Sequence, residues 1–208
     1  LNKRHYYSAA LYLNPALEKS TSPKRYEKRV LVPLGEYIPF SFCQQLAINY
    51  GVNGSFTKGE IAKVFSHEKA PFGASICYEE TFGHIMRENK QQGAEILVNL
   101  TNDGWFPGSL LTKQHFDHAR LRSVECGIPL IRACNTGITG GFDSFGKVIS
   151  TLEDTKKNHE YLSDSLLIEV PLYSYQTVYS KFGDHLILAF SGLLLLGSML
   201  TWGCKRNQ

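Results

Sequence analysis

The sequence has little of what several large classes of protein need. Its formal net charge is only +3 over 208 residues, and its basic residues are scattered, which indicates no nucleic-acid partner. Its five cysteines include no Cys-x-x-Cys pair, so a zinc ribbon or a disulfide framework has little support. His115 and His118 have no third ligand at suitable spacing, and we expect no metal site. The chain has neither an initiator Met nor a signal peptide, and we expect it to be part of a longer protein.

Nucleotide binding is not indicated either. The stretch 141–147 matches most of a phosphate-binding loop, but the next residue is Val148, where magnesium binding needs Ser or Thr. The surrounding residues predict a β-hairpin instead, with strands over 140–144 and 147–151 around a Ser-Phe-Gly turn.

What the sequence does contain is the pattern of a folded α/β domain. Hydrophobic residues make up 43% of the chain and charged residues 20%, and the length suffices for one sizeable core. An apolar strand ends at Cys77, helical spacing follows over 81–92, and another strand covers 94–100, which together predict a βαβ unit. A helix over 111–126 and a strand over 129–135 are predicted to extend this α/β architecture.

Cys77 lies where a covalent nucleophile is expected. Its thiol stands at the end of the apolar strand, and a helix is predicted directly behind it. The partial positive charge of a helix N-terminus would favour the reactive thiolate. The alternative is a buried, unreactive cysteine, and the pattern around Cys77 leaves both interpretations open.

Two other stretches carry candidate site residues with open alternatives. Lys28 and Glu36 flank a short apolar segment and a Pro/Gly-punctuated turn, and they are either exposed charges or a buried pair beside the nucleophile. Trp105 and Phe106 lie in a turn-rich loop at the carboxyl end of a predicted strand, where α/β folds place ligand contacts. They either line a pocket or pack the loop against the domain.

The longest apolar run lies near the end of the chain. Residues 186–204 contain no Lys, Arg, Asp or Glu, and at about 1.5 Å per residue a helix of this length nearly spans a hydrocarbon core of roughly 30 Å. Trp202 near one end, with Lys205 and Arg206 beyond it, predicts a transmembrane helix with a cytoplasmic C-terminus. The alternative is a buried core helix.

Several of these stretches together carry a family resemblance. The sequence resembles the nitrilase superfamily and, within it, the apolipoprotein N-acyltransferases, from about residue 5 to the C-terminal helix. The lysine motif with Pro-Leu-Gly-Glu-Tyr, together with Cys-Tyr-Glu, is specific to this branch, since soluble nitrilases more often read Cys-Tyr-Asp. Leu34 departs mildly from the Phe that is frequent in this branch. The matching segments are Tyr26-x-Lys28-x-x-Leu31-Val32-Pro33-Leu34-Gly35-Glu36-Tyr37-x-Pro39, Ile76-Cys77-Tyr78-Glu79, Leu97-Val98-Asn99-x-x-Asn102-Asp103-x-Trp105-Phe106, Gln114-His115, Arg122-x-x-Glu125 and Pro129-x-x-Arg132-x-x-Asn135-x-Gly137.

The resemblance implies a fold and a set of site residues. The fold is a nitrilase-like αββα sandwich over residues 1–180, incomplete at the N-terminus, followed by the transmembrane helix at 186–204. The site is a Glu-Lys-Cys triad in which Cys77 is the nucleophile and Lys28 stabilises the oxyanion. The general-base glutamate is expected upstream of residue 1, so the chain alone is expected to be inactive. The supporting residues are Glu36, Tyr78 and Glu79, and Trp105 and Phe106 of the turn-rich loop are the candidate pocket residues.

The resemblance also implies an activity. The enzyme would transfer an acyl chain from a phospholipid, through a thioester on Cys77, to the α-amine of the diacylglyceryl-cysteine of an apolipoprotein, without a metal or organic cofactor. It would lie in the bacterial inner membrane with its catalytic domain on the periplasmic side. Two alternatives remain from the sequence: a membrane-tethered carbon–nitrogen hydrolase that cleaves small amides, and a catalytically incomplete nitrilase-fold fragment that serves as a binding module.

Overall fold

The strands and helices of the domain follow the predicted α/β order. A computed structural model describes residues 5–13, 24–40, 42, 48, 55–105 and 108–206. The strands are β1 (Ala9–Tyr12), β2 (Lys24–Glu27), β3 (Val64–Phe65), β4 (Phe72–Ile76), β5 (Ile96–Thr101), β6 (Leu130–Cys134), β7 (Gly140–Phe142) and β8 (Val148–Thr151). The helices are a 3₁₀ helix (Cys77–Thr81), α1 (Gly83–Gln91), α2 (Leu111–Cys126), α3 (Val178–Phe182) and α4 (His185–Arg206).

The strands form a large mixed sheet and a small antiparallel one. The six-stranded sheet has the order β3-β4-β5-β6-β7-β8, while β1 pairs with β2. Strands β4, β5 and β6 run parallel and alternate with α1 and α2 along the chain, which confirms the predicted βαβ arrangement. Strands β7 and β8 pair antiparallel, which confirms the predicted hairpin. The carboxyl ends of β4, β5 and β6 therefore meet at one edge of the sheet.

Side chains that alternate along each strand supply two apolar clusters. On one face, Leu97, Leu130 and Phe142 of the sheet pack with Met86 of α1 and Ala119 of α2. On the opposite face, residues of β4 pack against the two-stranded sheet in a cluster of Ala10, Tyr26, Phe65 and Ala74. The described residues therefore supply a helix layer, the large sheet and two strands of a second sheet, in agreement with a nitrilase-like sandwich.

The C-terminal apolar run is helical, as predicted, and forms α4. Its leucines at positions 193–196 are exposed. Crossing a bilayer takes about 20 consecutive, mostly apolar residues in one helix. Among the residues that the structure describes, no helix meets both the length and the apolarity that a membrane span needs. The prediction of a transmembrane helix over 186–204 is therefore not supported by the described part of the chain.

Candidate active site

A cavity of about 680 Å³ opens at the carboxyl ends of the parallel strands. Its lining includes Lys28, Glu36, Cys77 and Trp105, four of the residues that the sequence singled out. Parallel strands direct the loops behind them to the same edge of a sheet, and this brings together residues that lie far apart in sequence. The cavity is therefore the candidate active site.

Cys77 is the first residue of the 3₁₀ helix and lies at the sharp turn that joins this helix to β4. Its φ of 52° lies in the left-handed region, which a non-glycine residue rarely adopts and which surrounding contacts must hold. One such contact is the Asn99 side-chain amide, which donates to the Cys77 carbonyl at 3.3 Å and to Ser75 Oγ at 3.0 Å. The half-buried Cys77 thiol donates to the Asn102 carbonyl, with 3.9 Å between Sγ and the oxygen. The turn thus presents Sγ to the cavity, which the interpretation of Cys77 as core filling does not account for.

Lys28 forms a buried ion pair with Glu36, which corresponds to the paired alternative rather than to two exposed charges. Lys28 Nζ lies 2.7 and 2.8 Å from the two Glu36 carboxylate oxygens, and the lysine is only 1% exposed. The Val32 amide donates to the same carboxylate at 2.8 Å. The backbone of Lys28 is bound on both sides, to Ser8 and to Gly59. A cation is therefore held rigidly in the cavity wall.

Glu79 binds the Lys28 segment to the Cys77 turn. Its fully buried carboxylate accepts the Ile76 amide at 2.7 Å from one side. From the other side it accepts the Arg29 and Val30 amides, at 2.5 and 3.0 Å, and the Tyr26 hydroxyl, at 2.8 Å. Burial and the nearby Glu79 carboxylate raise the pKa of Tyr26, which keeps this phenol protonated as a donor. Glu79 thus connects the Lys28 segment to the Cys77 turn through hydrogen bonds.

The remaining predicted site residues have different positions. Trp105 is 66% exposed and lies in the cavity lining, which matches the pocket interpretation of this residue. Tyr78 packs its ring edge against Phe82, with centroids 4.9 Å apart, and is not among the described lining residues. Phe106 lies outside the described residues, so its predicted place in the pocket stays a prediction.

The cavity has further lining residues to which the motifs assigned no part in the site, although Asn102 and Asn135 lie within the matching segments. Asn102, Cys134 and Asn135 line it from the ends of β5 and β6, and the exposed Asp164 lines it from a later segment. The rule that ligands bind at the carboxyl ends of parallel strands could have identified the first three. Asp164 carries no such signal, because it lies 13 positions after the end of β8 at Thr151.

A buried charge cluster lies beneath the cavity. It consists of Glu80, Asp103, His115 and Arg132. Burial raises the pKa of Glu80 to about 7, although Arg132 and His115 oppose the shift. Burial alone would also raise the pKa of Asp103, but hydrogen bonds from His115 and Arg132 outweigh it and lower the pKa to about 2.

His115, a candidate metal ligand in the sequence, pairs with a carboxylate of the buried charge cluster. Its Nδ1 lies 2.9 Å from an Asp103 carboxylate oxygen. Among the described residues, no group of three or more His, Cys, Asp or Glu side chains is arranged to hold a metal ion.

A scan against protein-family models matches residues 2–170 to the carbon–nitrogen hydrolase family. Among solved structures, the chain is similar to a carbon–nitrogen hydrolase from Helicobacter pylori G27, with a TM-score of 0.59 and 14% identity. That match covers 88% of this chain and 61% of the other. At this identity the similarity concerns the fold, and it agrees with the nitrilase-like architecture described above.

Curated relatives point to one branch of that family. The chain is 40% identical to an apolipoprotein N-acyltransferase of Chlamydia trachomatis serovar D over 98% of its own length, and 38% identical to one of Borreliella burgdorferi over 78%. These matches confirm the resemblance that the sequence motifs indicated. The chain spans 38% and 31%, respectively, of the length of these relatives.

Proposed function

The chain belongs to the carbon–nitrogen hydrolase family, and on that premise we propose that it supplies the cysteine and lysine of an acyltransferase site. The proposed reaction moves an acyl chain from a phospholipid to the α-amine of the diacylglyceryl-cysteine of an apolipoprotein. The observation that carries the proposal is the cavity in which the Cys77 thiol and the buried Lys28–Glu36 pair face the same space. The identity of about 40% to apolipoprotein N-acyltransferases supports the choice of substrates.

In the proposed first half-reaction, Cys77 Sγ attacks the carbonyl carbon of a phospholipid ester. The thiol proton passes to a general base, and an S–C bond forms as the carbonyl oxygen takes up negative charge. The Lys28 ammonium and backbone N–H groups of the turn after Cys77 stabilise this oxyanion. Loss of one such donor typically costs on the order of 3 kcal/mol of transition-state stabilisation. The C–O bond then breaks, the departing oxygen takes a proton, and lysophospholipid leaves a thioester on Cys77.

In the proposed second half-reaction, the α-amine of the lipoprotein cysteine attacks the thioester carbonyl. A C–N bond forms, the C–S bond breaks, and the amine proton goes to the same base. The products are an amide on the lipoprotein and a regenerated Cys77 thiol. No step calls on a metal or an organic cofactor, because the chemistry needs only a nucleophile, a base and an oxyanion donor.

The general base is proposed to come from outside the described residues. Glu36 is bound to Lys28 Nζ and to the Val32 amide, which leaves this carboxylate as the partner of the cation. The family resemblance assigns the base to a glutamate upstream of residue 1. A preparation limited to these 208 residues is therefore expected to have little or no turnover, and appreciable turnover would identify another base, with Asp164 as the first candidate.

We propose that α4 holds the domain against a lipid bilayer, since both substrates carry acyl chains. Leu193 to Leu196 and Trp202 are exposed, and burying such side chains in lipid removes apolar surface from water. The location that suits this chemistry is the bacterial inner membrane, with the catalytic domain on its periplasmic side. Flotation with phospholipid vesicles checks the contact, which Leu193→Ser and Leu194→Ser together should weaken.

The test of the proposed function compares two cysteines of the same cavity. The full-length protein is incubated with phosphatidylglycerol vesicles, and its intact mass is measured before and after addition of a diacylglyceryl peptide. We expect one added acyl group, which the peptide removes. Cys77→Ala should abolish the added mass, whereas Cys134→Ala, the matched control, should keep it because Cys134 lines the cavity without standing at the turn.

Two outcomes contradict the proposal. An acyl group on Cys77→Ala would show that another residue carries the thioester. Release of ammonia from small amides, with no acyl group taken from vesicles, would favour a carbon–nitrogen hydrolase instead.

A further inference from the structure

We propose that Arg132 is a positioning residue, whose guanidinium holds together the three loops that follow β4, β5 and β6. By doing so it fixes the Asn102 carbonyl and the cavity wall relative to the Cys77 thiol. The inference deepens the proposed function and rests on it for the role of Cys77. The connection of the three loops by Arg132 does not rest on the proposed function, and amide hydrogen exchange measures it separately.

Each nitrogen of the guanidinium contacts a different loop. Nε lies 3.1 and 3.3 Å from the two oxygens of Glu80, in the 3₁₀ helix that begins at Cys77. Nη2 donates to Asp103 Oδ2 at 2.8 Å, directly after Asn102. Nη1 donates to the Ile138 carbonyl at 2.7 Å, in the loop behind β6. One side chain therefore connects all three loops at the carboxyl edge of the sheet.

The geometry needs arginine in particular. Arg132 is fully buried, and its planar fork directs donors along three fixed directions. A lysine at the same position would keep the positive charge but has a single nitrogen, which cannot reach three separate acceptors. The conservative variant Arg132→Lys thus separates the effect of charge from that of the three-way connection.

The loops around Arg132 also bind one another closely. Asn102 Oδ1 accepts the Thr136 hydroxyl at 3.0 Å and the Gly104 amide at 3.1 Å, so the loops behind β5 and β6 are connected at the cavity as well. A Cβ on Gly137 would lie 2.3 Å from Asp103 Oδ2 and 2.7 Å from Cys134 Sγ. The loop behind β6 therefore rests directly on the carboxylate that Arg132 holds, with no room for a side chain at this glycine.

The position of Asn102 links this cluster to the thiol. Its carbonyl is the hydrogen-bond acceptor of Cys77 Sγ at 3.9 Å, and its neighbour Asp103 is the residue that Arg132 binds. Glu80 lies in the same short helix as Cys77. A displacement of either carboxylate would therefore move the thiol and the Asn102 carbonyl relative to each other, and a displacement of about 1 Å at a reacting group costs up to about 100-fold in rate.

The experiment measures amide hydrogen exchange and steady-state turnover in the full-length protein. The variants are Arg132→Lys, Arg132→Met and a matched control, Arg120→Met. Arg120 also binds a loop to the domain, because its Nε donates to the Gly146 carbonyl at 2.7 Å, but that loop is the turn between β7 and β8. The Arg120 variant thus removes a similar arginine from a loop that does not line the cavity.

We expect both Arg132 variants to exchange faster than the wild type over 101–105 and 135–139. Exchange over the strand residues 72–76 should stay at the wild-type level in Arg132→Lys. Turnover should fall by about 100-fold through kcat, with little change in KM. Arg120→Met should speed exchange only over 143–147 and keep wild-type turnover.

The proposal is overturned if Arg132→Lys keeps both wild-type loop exchange and wild-type kcat. It is also overturned if the strands and the loops lose protection to the same extent in Arg132→Lys, because the residue would then serve general stability. The exchange result does not depend on the reaction catalysed. Faster loop exchange in a protein that takes no acyl group from vesicles would leave the loop connection intact and contradict only the proposed function.

Discussion

Strands β5 and β6 change character along their length, on the one face that packs against the helices. Near their beginnings, Leu97 faces Leu130 in register, and both are fully buried among apolar side chains. Two residues further on, the facing pair is Asn99 and Arg132, equally buried but polar. This face of the sheet therefore has an apolar region around Leu97 and Leu130. Two residues further along the strands it has a polar region, around Asn99, Arg132 and the charged partners of Arg132.

The two regions make different physical contributions to the protein. The apolar region removes surface from water, which stabilises the fold without fixing any single direction. The polar region carries a large desolvation cost, which the partners of Arg132 offset, and replacement of such clusters by apolar residues is often neutral or stabilising. Hydrogen bonds, unlike apolar contacts, fix the relative orientation of the groups that they join. We therefore expect changes in the apolar region to act on stability and changes in the polar region to act on the geometry of the cavity.

The largest effect expected on stability comes from Leu97→Ala. Truncation of a fully buried leucine typically costs about 3 kcal/mol through lost burial and the cavity left behind. Urea denaturation of the full-length protein should report a decrease of this size in the free energy of unfolding. Turnover per folded molecule should stay at the wild-type value.

Leu100 provides the matched control on the same strand. It is 42% exposed and lines the cavity, so Leu100→Ala should change the free energy of unfolding by no more than about 0.5 kcal/mol. If Leu97→Ala lowered kcat of the folded protein as strongly as a change in the cavity wall, the proposed division between the two regions would be wrong.

The strands and helices around the apolar core are the part of the fold that sequence patterns predicted best. The apolar run over 94–100, the predicted helix over 111–126 and the turn around 144–146 led to a correct strand, helix and hairpin, because each of these signals is local. The helix predicted from residue 81 begins at Gly83 instead, since Cys77–Thr81 forms a separate 3₁₀ helix. Glu79 accepts the Ile76 amide at the start of that helix, and no periodicity reports such a contact.

The residues of the candidate site were predictable only through motifs. The motifs identified Lys28, Glu36 and Cys77, and the structure brings these residues to one cavity. They did not indicate the pairing of Arg132 with Glu80, because 52 positions separate the partners and either residue alone looks like a surface charge. The left-handed backbone of Cys77 was equally out of reach, since nothing in its neighbours requires it.

The pH dependence of stability gives a second way to separate the regions. Glu80 is fully buried, faces Arg132, His115 and Asp103, and has its pKa raised from 4.5 to about 7. A raised folded-state pKa means that the native state holds a proton which the unfolded chain releases. The stabilisation is therefore complete below about pH 4.5 and is lost as pH rises through about 7, with a maximum size of about 3 kcal/mol.

Glu80→Gln isolates this contribution, because the amide does not titrate. We expect the free energy of unfolding of the wild type to fall relative to that of the variant between about pH 4.5 and pH 7. Leu97→Ala should run parallel to the wild type over the same range, only lower. Parallel curves for the wild type and Glu80→Gln would contradict a proton held at Glu80.

The smallest effect is expected from Thr136→Val, at the outer margin of the polar region. This nearly isosteric change removes the hydroxyl that donates to Asn102 Oδ1, while the Gly104 amide continues to donate to the same oxygen. Loss of a partly exposed hydrogen bond of this kind costs about 0.5–1 kcal/mol, and turnover should stay within about twofold because Arg132 still holds Asp103. Steady-state kinetics and urea denaturation measure both. A loss of kcat comparable to that of Arg132→Lys would mean that the surface contact, rather than the buried guanidinium, sets the position of the loop.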